Sequence, residues 1–392
     1  MPSPSPQNKR GLPLKGLKVL DLTRVLAGPY ATMILADLGA QVVKVEEPPQ
    51  GDEARGVGPF FPQAPHISAY FYSINRNKKS ITLNLKAKED KEKFLALAAR
   101  ADILVENFLP ATMQKLGLDY KKLSVSNPRL IYAACSGFGQ EGPYAQKRAY
   151  DLIVQGMGGI MSITGEPQGP PVRVGTSLGD IAASLYLVIG ILAALHRRKT
   201  TGQGAYIDVA MLDCQVAILE NAVIRHLVTG EIPTPLGGRH PSIAPFDVFP
   251  AADGPFILAV GTKQWERFCR FIGRPELITD ERFATNARRN ENYHLLQPVL
   301  AAITKTKAVK EWLAQLEAIG VPAGPINRLE EVVADPQVLF RQMIVTLEDE
   351  KLGTVKMAGS PIKIRDIETQ YTPAPDLGRH TQEVLKSWLG ED

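Results

Sequence analysis

The sequence predicts an α/β fold built on a parallel sheet. Three observations predict it: short apolar runs end in turn chemistry, helical stretches alternate with those runs, and one strand–helix–strand unit closes within about thirty residues. Leu17 to Leu22 is short, apolar and followed by a turn, the pattern of a buried strand. A Gly28-Pro29 break follows, with Pro29 suited to the first turn of a helix, where its missing N–H is not needed. Tyr30 to Leu38 is that helix, Gly39 ends it, and Gln41 to Val45 is the second strand. The alternation recurs, with strands at Ser80 to Leu85, Ile103 to Val105 and Ile131 to Ala134, and a helix at Glu89 to Arg100. Ile181 to Leu195 is the longest apolar stretch; its small and polar interruptions make it a buried core helix rather than a membrane span.

Composition shifts mark the domains. Residues 1–205 are expected to form a large Rossmann-like domain. After a turn at Gly202-Gln203-Gly204, residues 206–230, a strand-like run followed by one long apolar helix from Gln215 to Leu227, form a helical linker. Residues 231–328, opened by Gly237-Gly238 and several prolines, form a smaller α/β domain with a strand at Pro255 to Val260 and a helix from Trp265. Residues 329–392 return to complete the large domain.

The bulk numbers exclude several function classes. Net charge is +4, from 45 basic and 41 acidic residues, without the dense one-sided block of a nucleic-acid footprint. The three cysteines, Cys135, Cys214 and Cys269, are odd in number and far apart, so a reducing, cytoplasmic setting is expected. The polar Pro/Ser-rich stretch 1–10 lacks the apolar segment of a secretory leader, and no membrane partner is expected. Neither HExxH nor CxxC occurs, which speaks against a metal site. The turn after the first strand reads Leu26-Ala27-Gly28-Pro29 rather than GxGxxG, and no P-loop sequence occurs.

Asp180 is the most informative residue. It directly precedes the long apolar run, in Gly175-Thr176-Ser177-Leu178-Gly179-Asp180. A capping box with Ser177 accounts for it structurally. A carboxylate stabilised at a helix N-terminus and serving as a covalent nucleophile accounts for it functionally, with a neighbouring glycine giving substrate close access. Lys78, Lys79 and Lys86, taken alone, are a solvated charged strand edge. Arg239 and His240 lie in a Gly/Pro-rich loop, where binding residues concentrate.

Taken together, six ordered segments resemble the class III CoA-transferases, the carnitine-dehydratase/racemase-type family. They are Leu14 to Leu22, Ala27 to Pro29, Val43 to Glu46, Asn75 to Ser80, Asp102 to Phe108, and Gly179-Asp180. The resemblance runs from about Leu14 to Leu389 and implies an interlocked, ring-like homodimer. It implies that Asp180 is the nucleophile, carrying first an acyl anhydride and then a CoA thioester. Coenzyme A enters as a substrate, with no permanently bound cofactor and no metal. The family's CoA-contacting positions fall on Leu83, Lys86, Asn107, Phe108 and Arg148, and the two cations suit phosphate pairing.

Departures from the family's branches narrow the substrate. Tyr150 stands where the racemase branch has histidine, which removes a base that α-proton exchange needs. Leu26 stands where the formyl/oxalate branch has glutamine, and the loop at Gly261 is shorter, which argues against oxalate. The run Gly238 to Phe246, with Pro171-Val172-Arg173, is similar to the succinyl-CoA:glutarate branch. Tyr150, Arg173, Arg239, His240 and Gly261 are therefore the substrate-site candidates, with the arginines available to clamp a distal carboxylate. A CoA-ester racemase and a non-catalytic nucleotide-binding protein are the alternatives.

Overall fold

The computed structural model of the chain describes residues 11–390, so the tail read at 1–10 lies outside the described residues. The chain divides into two compact units. The larger comprises Met1–Ile160, Arg173–Gly230 and Gln337–Asp392, and the smaller Met161–Val172 with Glu231–Pro336.

The larger unit is built on a six-stranded parallel sheet. Its strands are β1 (Lys18–Asp21), β2 (Gln41–Glu46), β3 (Lys78–Thr82), β4 (Ile103–Glu106), β5 (Ile131–Ser136) and β6 (Ala205–Ala210), in the spatial order β3-β2-β1-β4-β5-β6. The chain winds outward from β1 in one direction and from β4 in the other. The switch point between β1 and β4 opens a crevice at the carboxyl ends of the strands, where doubly wound sheets bind their ligands. Strand period explains the two cores. Val19, Val42, Ile103, Ile131 and Ala133 point into one apolar layer, and their neighbours Leu20, Val43, Leu104, Tyr132 and Ala134 into the other.

Helix α1 (Ala27–Asp37) follows β1, α2 (Lys88–Ala98) follows β3, and α3 (Asp151–Met157) precedes the 24-residue α4 (Leu178–Thr201). Gly28 is required where α1 starts, since a Cβ there would stand 2.3 Å from Thr23 Cβ. By length and composition α4 could cross a membrane. One face, including Ala183, Leu187 and Ile191, is buried in the first apolar layer, while Leu185, Tyr186, Ile189 and Leu192 are exposed. The expected buried core helix is thus buried on one side only.

The expected linker at 206–230 begins with its strand-like run, which is β6, paired in parallel with β5 and with Tyr206 packed on Tyr132, so this part belongs to the large sheet rather than to a linker. Its expected single helix is two, α5 (Met211–Ile218) and α6 (Asn221–Thr229), broken at Glu220, whose φ is 35°.

The smaller unit holds an antiparallel sheet of β7 (Phe246–Pro250), β8 (Pro255–Ala259) and β9 (Ala323–Pro325). Helices α7 (Trp265–Phe271), α8 (Tyr293–Thr304) and α9 (Val309–Ala318) surround its own core of Phe249, Phe256, Leu258, Phe268, Leu296 and Trp312. The return segment adds a hairpin, β10 (Ile344–Asp349) and β11 (Gly353–Ala358). It also adds α10 (Thr381–Leu389), whose Val384 and Trp388 join the second apolar layer of the large sheet.

Candidate active site

Asp180 is the third residue of α4. Ser177 caps that helix with its backbone only, so the capping box does not form. Among the described residues no donor is hydrogen-bonded to the Asp180 carboxylate. Burial, with the like charge of Asp151 adding, pushes its pKa up to about 7. The turn before it is fixed from α3. Asp151 Oδ1 accepts the Gly179 amide at 2.8 Å, Asp151 Oδ2 accepts Gln155 Nε2 at 2.8 Å, and Gln155 Oε1 accepts the Val174 amide at 2.9 Å. Gly179 was expected to admit substrate. Instead its missing side chain admits α3, since a Cβ there would meet Val154 Cγ2 at 2.6 Å. Arg173 reaches Asp151 Oδ2 at 3.5 Å, so it acts toward this turn. Tyr70 is a site residue that sequence reasoning missed. Burial, with the charges of Asp180, Asp52 and Asp151, pushes its hydroxyl up to about 12.

The crevice at the switch point collects the expected CoA-contacting residues in two adjoining cavities. One, of about 300 Å³, is lined by Leu83, Leu85, Lys86, Phe108, Arg24 and Glu47 among others. The second, of about 170 Å³, is lined by Asn107, Phe108, Arg148 and Tyr150 with Ser136 and Gly137. Phe108 lines both. Asn107 clasps the backbone of Arg24, accepting its amide at 2.8 Å and donating to its carbonyl at 2.8 Å, which ties the β4 loop to the β1 loop. Glu106 fastens the same loop by accepting the Phe108 amide at 2.8 Å, and burial pushes its pKa up to about 7. Arg24 was missed. Its guanidinium lies 5.2 Å from the Phe108 ring centre and reaches Glu47, which in turn holds Lys86 at 2.9 Å. The available signal was its position, three residues past the end of a strand at the sheet's centre.

Below the crevice lies a buried ionic network. Lys78 is 3% exposed, so the solvated-edge reading fails for it. Its ammonium donates to Asp21 Oδ2 at 3.0 Å, to Asn75 Oδ1 at 2.8 Å and to the Pro29 carbonyl at 2.9 Å. Lys44 donates to the Thr23 carbonyl at 2.7 Å and pairs with Asp52 at 2.8 Å. Asp52 also accepts the amide of Val25, a β-branched residue held at φ 65°. These bonds fix the turn that presents Arg24. Lys79 does lie at the surface and pairs with Glu383, and Lys86 is exposed as expected.

Arg239, His240 and Gly261 belong to the smaller unit. Arg239 lies 4.2 Å from the Tyr293 ring centre and donates to the Asn290 carbonyl at 3.1 Å and to Asn290 Oδ1 at 3.2 Å, while its Nε is buried without a partner. His240 Nδ1 accepts two backbone amides, from Ser242 at 3.0 Å and Ile243 at 3.1 Å, which leaves Nε2 as the nitrogen open to a ligand. Gly261 follows β8, and its carbonyl accepts the Gln264 amide at 3.0 Å. The structure brings Asp180, Asp151, Arg173 and Tyr70 to one locality, and Leu83, Lys86, Asn107, Phe108, Arg148 and Tyr150 to the crevice. Arg239, His240 and Gly261 stand on the other unit.

The family model for CoA-transferase family III matches residues 14–381. This chain belongs to that family. As a family III CoA-transferase it is an enzyme acting on CoA thioesters. It is 45% identical to the acetyl-CoA:oxalate CoA-transferase of Acetobacter aceti over 100% of both chains. It is 43% identical to the succinate–glutarate CoA-transferase of Agrobacterium fabrum over 95% of both. The human succinyl-CoA:glutarate CoA-transferase is 38% identical, over 97% of this chain and 87% of that one. The solved structure of a CAIB/BAIF family protein from Brucella suis matches with a TM-score of 0.85 at 41% identity, over 97% of this chain and 100% of that one. The oxalate relative is as similar as the glutarate ones, so similarity alone does not carry the reading against oxalate. Among the described residues no cluster of metal-ligating side chains occurs.

Proposed function

We propose that this CoA-transferase moves CoA from succinyl-CoA to a second dicarboxylate such as glutarate, through a thioester on Asp180. The observation that carries the reading is the Asp180 carboxylate itself: on the first turn of α4, without a hydrogen-bond donor, and poised near neutrality. A carboxylate that is neither capped nor ion-paired is available as a nucleophile.

In the first step an Asp180 oxygen attacks the donor's thioester carbonyl. The C–S bond breaks, giving a mixed anhydride and CoA thiolate. The thiolate then attacks the Asp180 acyl carbon, which releases the donor acid and leaves aspartyl-CoA. The acceptor carboxylate attacks that thioester, expelling thiolate and forming a second anhydride. Thiolate finally attacks the acceptor's acyl carbon, and Asp180 leaves as the free carboxylate. Burial keeps the reactive anhydride from water. The nucleotide end of CoA occupies the crevice, with Lys86 and Arg148 pairing its phosphates and Phe108 offering a ring face. Arg239 holds the acceptor's distal carboxylate, with His240 contributing a hydrogen bond from Nε2. The enzyme works in the cytoplasm as a homodimer, and the exposed apolar face of α4 supports the dimer.

The test is a matrix of succinyl-CoA and acetyl-CoA donors against glutarate, mesaconate, oxalate and butyrate, with products read by mass spectrometry. Best transfer from succinyl-CoA to glutarate supports the reading. Acetyl-CoA with oxalate as the best pair replaces it with the second reading that the Acetobacter relative favours. Incubation with donor alone should add the mass of CoA less one water to the Asp180 peptide.

A further inference from the structure

The 300 Å³ cavity in the crevice has a mixed lining. Leu22, Val45, Leu83, Leu85 and Leu116 make it apolar, while Arg24, Lys86 and Lys115 bring positive charge. Two acidic residues line the same cavity, Glu46 and Glu47. Glu46 is buried and committed. Its oxygens accept from Arg55 at 2.7 Å, from the Ser80 hydroxyl at 2.6 Å and from the Asp52 amide at 3.0 Å. Glu47 is different. It is partly exposed, and one oxygen faces each of two cations: Oε1 lies 2.9 Å from Lys86 Nζ and Oε2 lies 3.5 Å from Arg24 Nη2. A phosphate bound by those cations would need the same two directions. The hydrogen bond from Lys86 and the nearby cations hold Glu47 below the usual carboxylate range, so it stays ionised at neutral pH.

We propose that Glu47 is an internal rival of the substrate's phosphate, occupying Arg24 and Lys86 in the free enzyme and yielding one or both when the nucleotide end of an acyl-CoA arrives. The proposal rests on the reading that CoA uses this crevice, and it names a residue that sets how tightly. The free enzyme keeps its two cations oriented and their charge compensated. Binding exchanges one anion for another, so part of the phosphate's attraction is spent breaking an existing pair. The result is a deliberately weakened grip, which suits a transferase whose CoA thioester product must leave after every cycle.

The experiment compares wild type, Glu47→Gln, Lys86→Ala, Arg24→Ala and the Glu47→Gln/Lys86→Ala double variant. The substrates are succinyl-CoA and succinyl-3′-dephospho-CoA. Glu47→Gln should lower KM for succinyl-CoA about three- to fivefold, the range of an exposed ion pair. The gain should be absent with the dephospho substrate, absent in the double variant, and smaller at high salt. If Glu47→Gln raises KM for both substrates, Glu47 holds a ribose hydroxyl and the proposal is overturned. Equal gains with both substrates would reduce Glu47 to a general field effect and also overturn it. An unchanged KM overturns it outright. Failure of the underlying reading has a separate signature: Lys86→Ala and Arg24→Ala would both leave KM for succinyl-CoA unchanged.

Discussion

Asp151 holds the amide of Gly179 at 2.8 Å, and through that bond it fixes the residue next to Asp180 while its charge opposes the ionisation of Asp180. One carboxylate therefore both places Asp180 and raises the pH at which it ionises.

The pH profile should record this. The nucleophile is the ionised form and its pKa lies near 7, so kcat/KM for succinyl-CoA should fall tenfold per unit as pH drops below about 7. Asp151→Asn keeps an oxygen for the Gly179 amide but removes the charge. It should move this acid limb to lower pH. An unmoved limb would show that Asp151 has no electrostatic hold on the site.

Replacing Asp180 separates chemistry from folding. Asp180→Asn should lose activity by at least about a thousandfold while the fold persists. Stability should move the other way. The folded pKa is raised above 3.8, so the wild type loses stability as pH climbs from about 4 through about 7. The asparagine variant escapes that loss. With the partial exposure of the carboxylate discounted, the gain is about 1 kcal/mol, or about 2 °C in Tm. The difference should be present at about pH 8 and absent at about pH 4, as scanning calorimetry can check.

Lys86→Ala and Arg148→Ala should each raise KM for acyl-CoA about tenfold, the order expected when a charge-assisted phosphate contact is lost. KM for the free acid should change little. Equal effects on both substrates would remove these residues from the nucleotide site.

Arg239→Ala should cut kcat/KM for glutarate by about a hundredfold and for butyrate by less than about threefold, because a site built for a second carboxylate discriminates against its absence. Competition between glutarate and butyrate in one reaction gives the ratio directly. A loss shared by both acids would assign Arg239 to the packing around Tyr293 and Asn290.

Lys78→Ala should destabilise the large unit by about 3–5 kcal/mol, since it strands Asp21 as a buried unpaired charge. Burial opposes charge on both groups, yet Lys78 and Lys44 together hold Asp21 well below the usual carboxylate range. Chemical denaturation of the variant, and of Asp21→Asn/Lys78→Met with both charges removed, should show the double variant recovering part of the loss.

What could be read from the chain follows from the range of each signal. Val19 and Leu20, or Val42 and Val43, announce strands because burial on both faces leaves an uninterrupted apolar run. Asp180 was legible because a lone acid stands at the mouth of a long apolar helix. Lys78 was not, because its partner Asp21 lies 57 residues away and two adjacent lysines look like a wet edge. Arg24 was hidden for the same reason: its worth comes from Asn107 and Phe108, which the sheet brings to it. The break at Glu220 was missed because a single strained residue interrupts an otherwise apolar helical run.

Helix α4 carries Asp180 at one end and Arg198 at the other, and Arg198 is riveted to the amino-terminal ends of two interior strands of the sheet. It bonds the carbonyls of Asp102 and Arg129, at 3.2 and 3.0 Å, and Asp102 Oδ1 at 2.9 Å, just ahead of β4 and β5. Eighteen helical steps separate nearly inert ground from Asp180, about 27 Å of rod. Asp180 is thus aligned like a gunsight, by a front post at Asp151 and a rear post at Arg198. Loosening the rear post would spoil the aim without touching anything a substrate meets, so surveys of inactive variants should find some of their lesions at the amino-terminal ends of the strands.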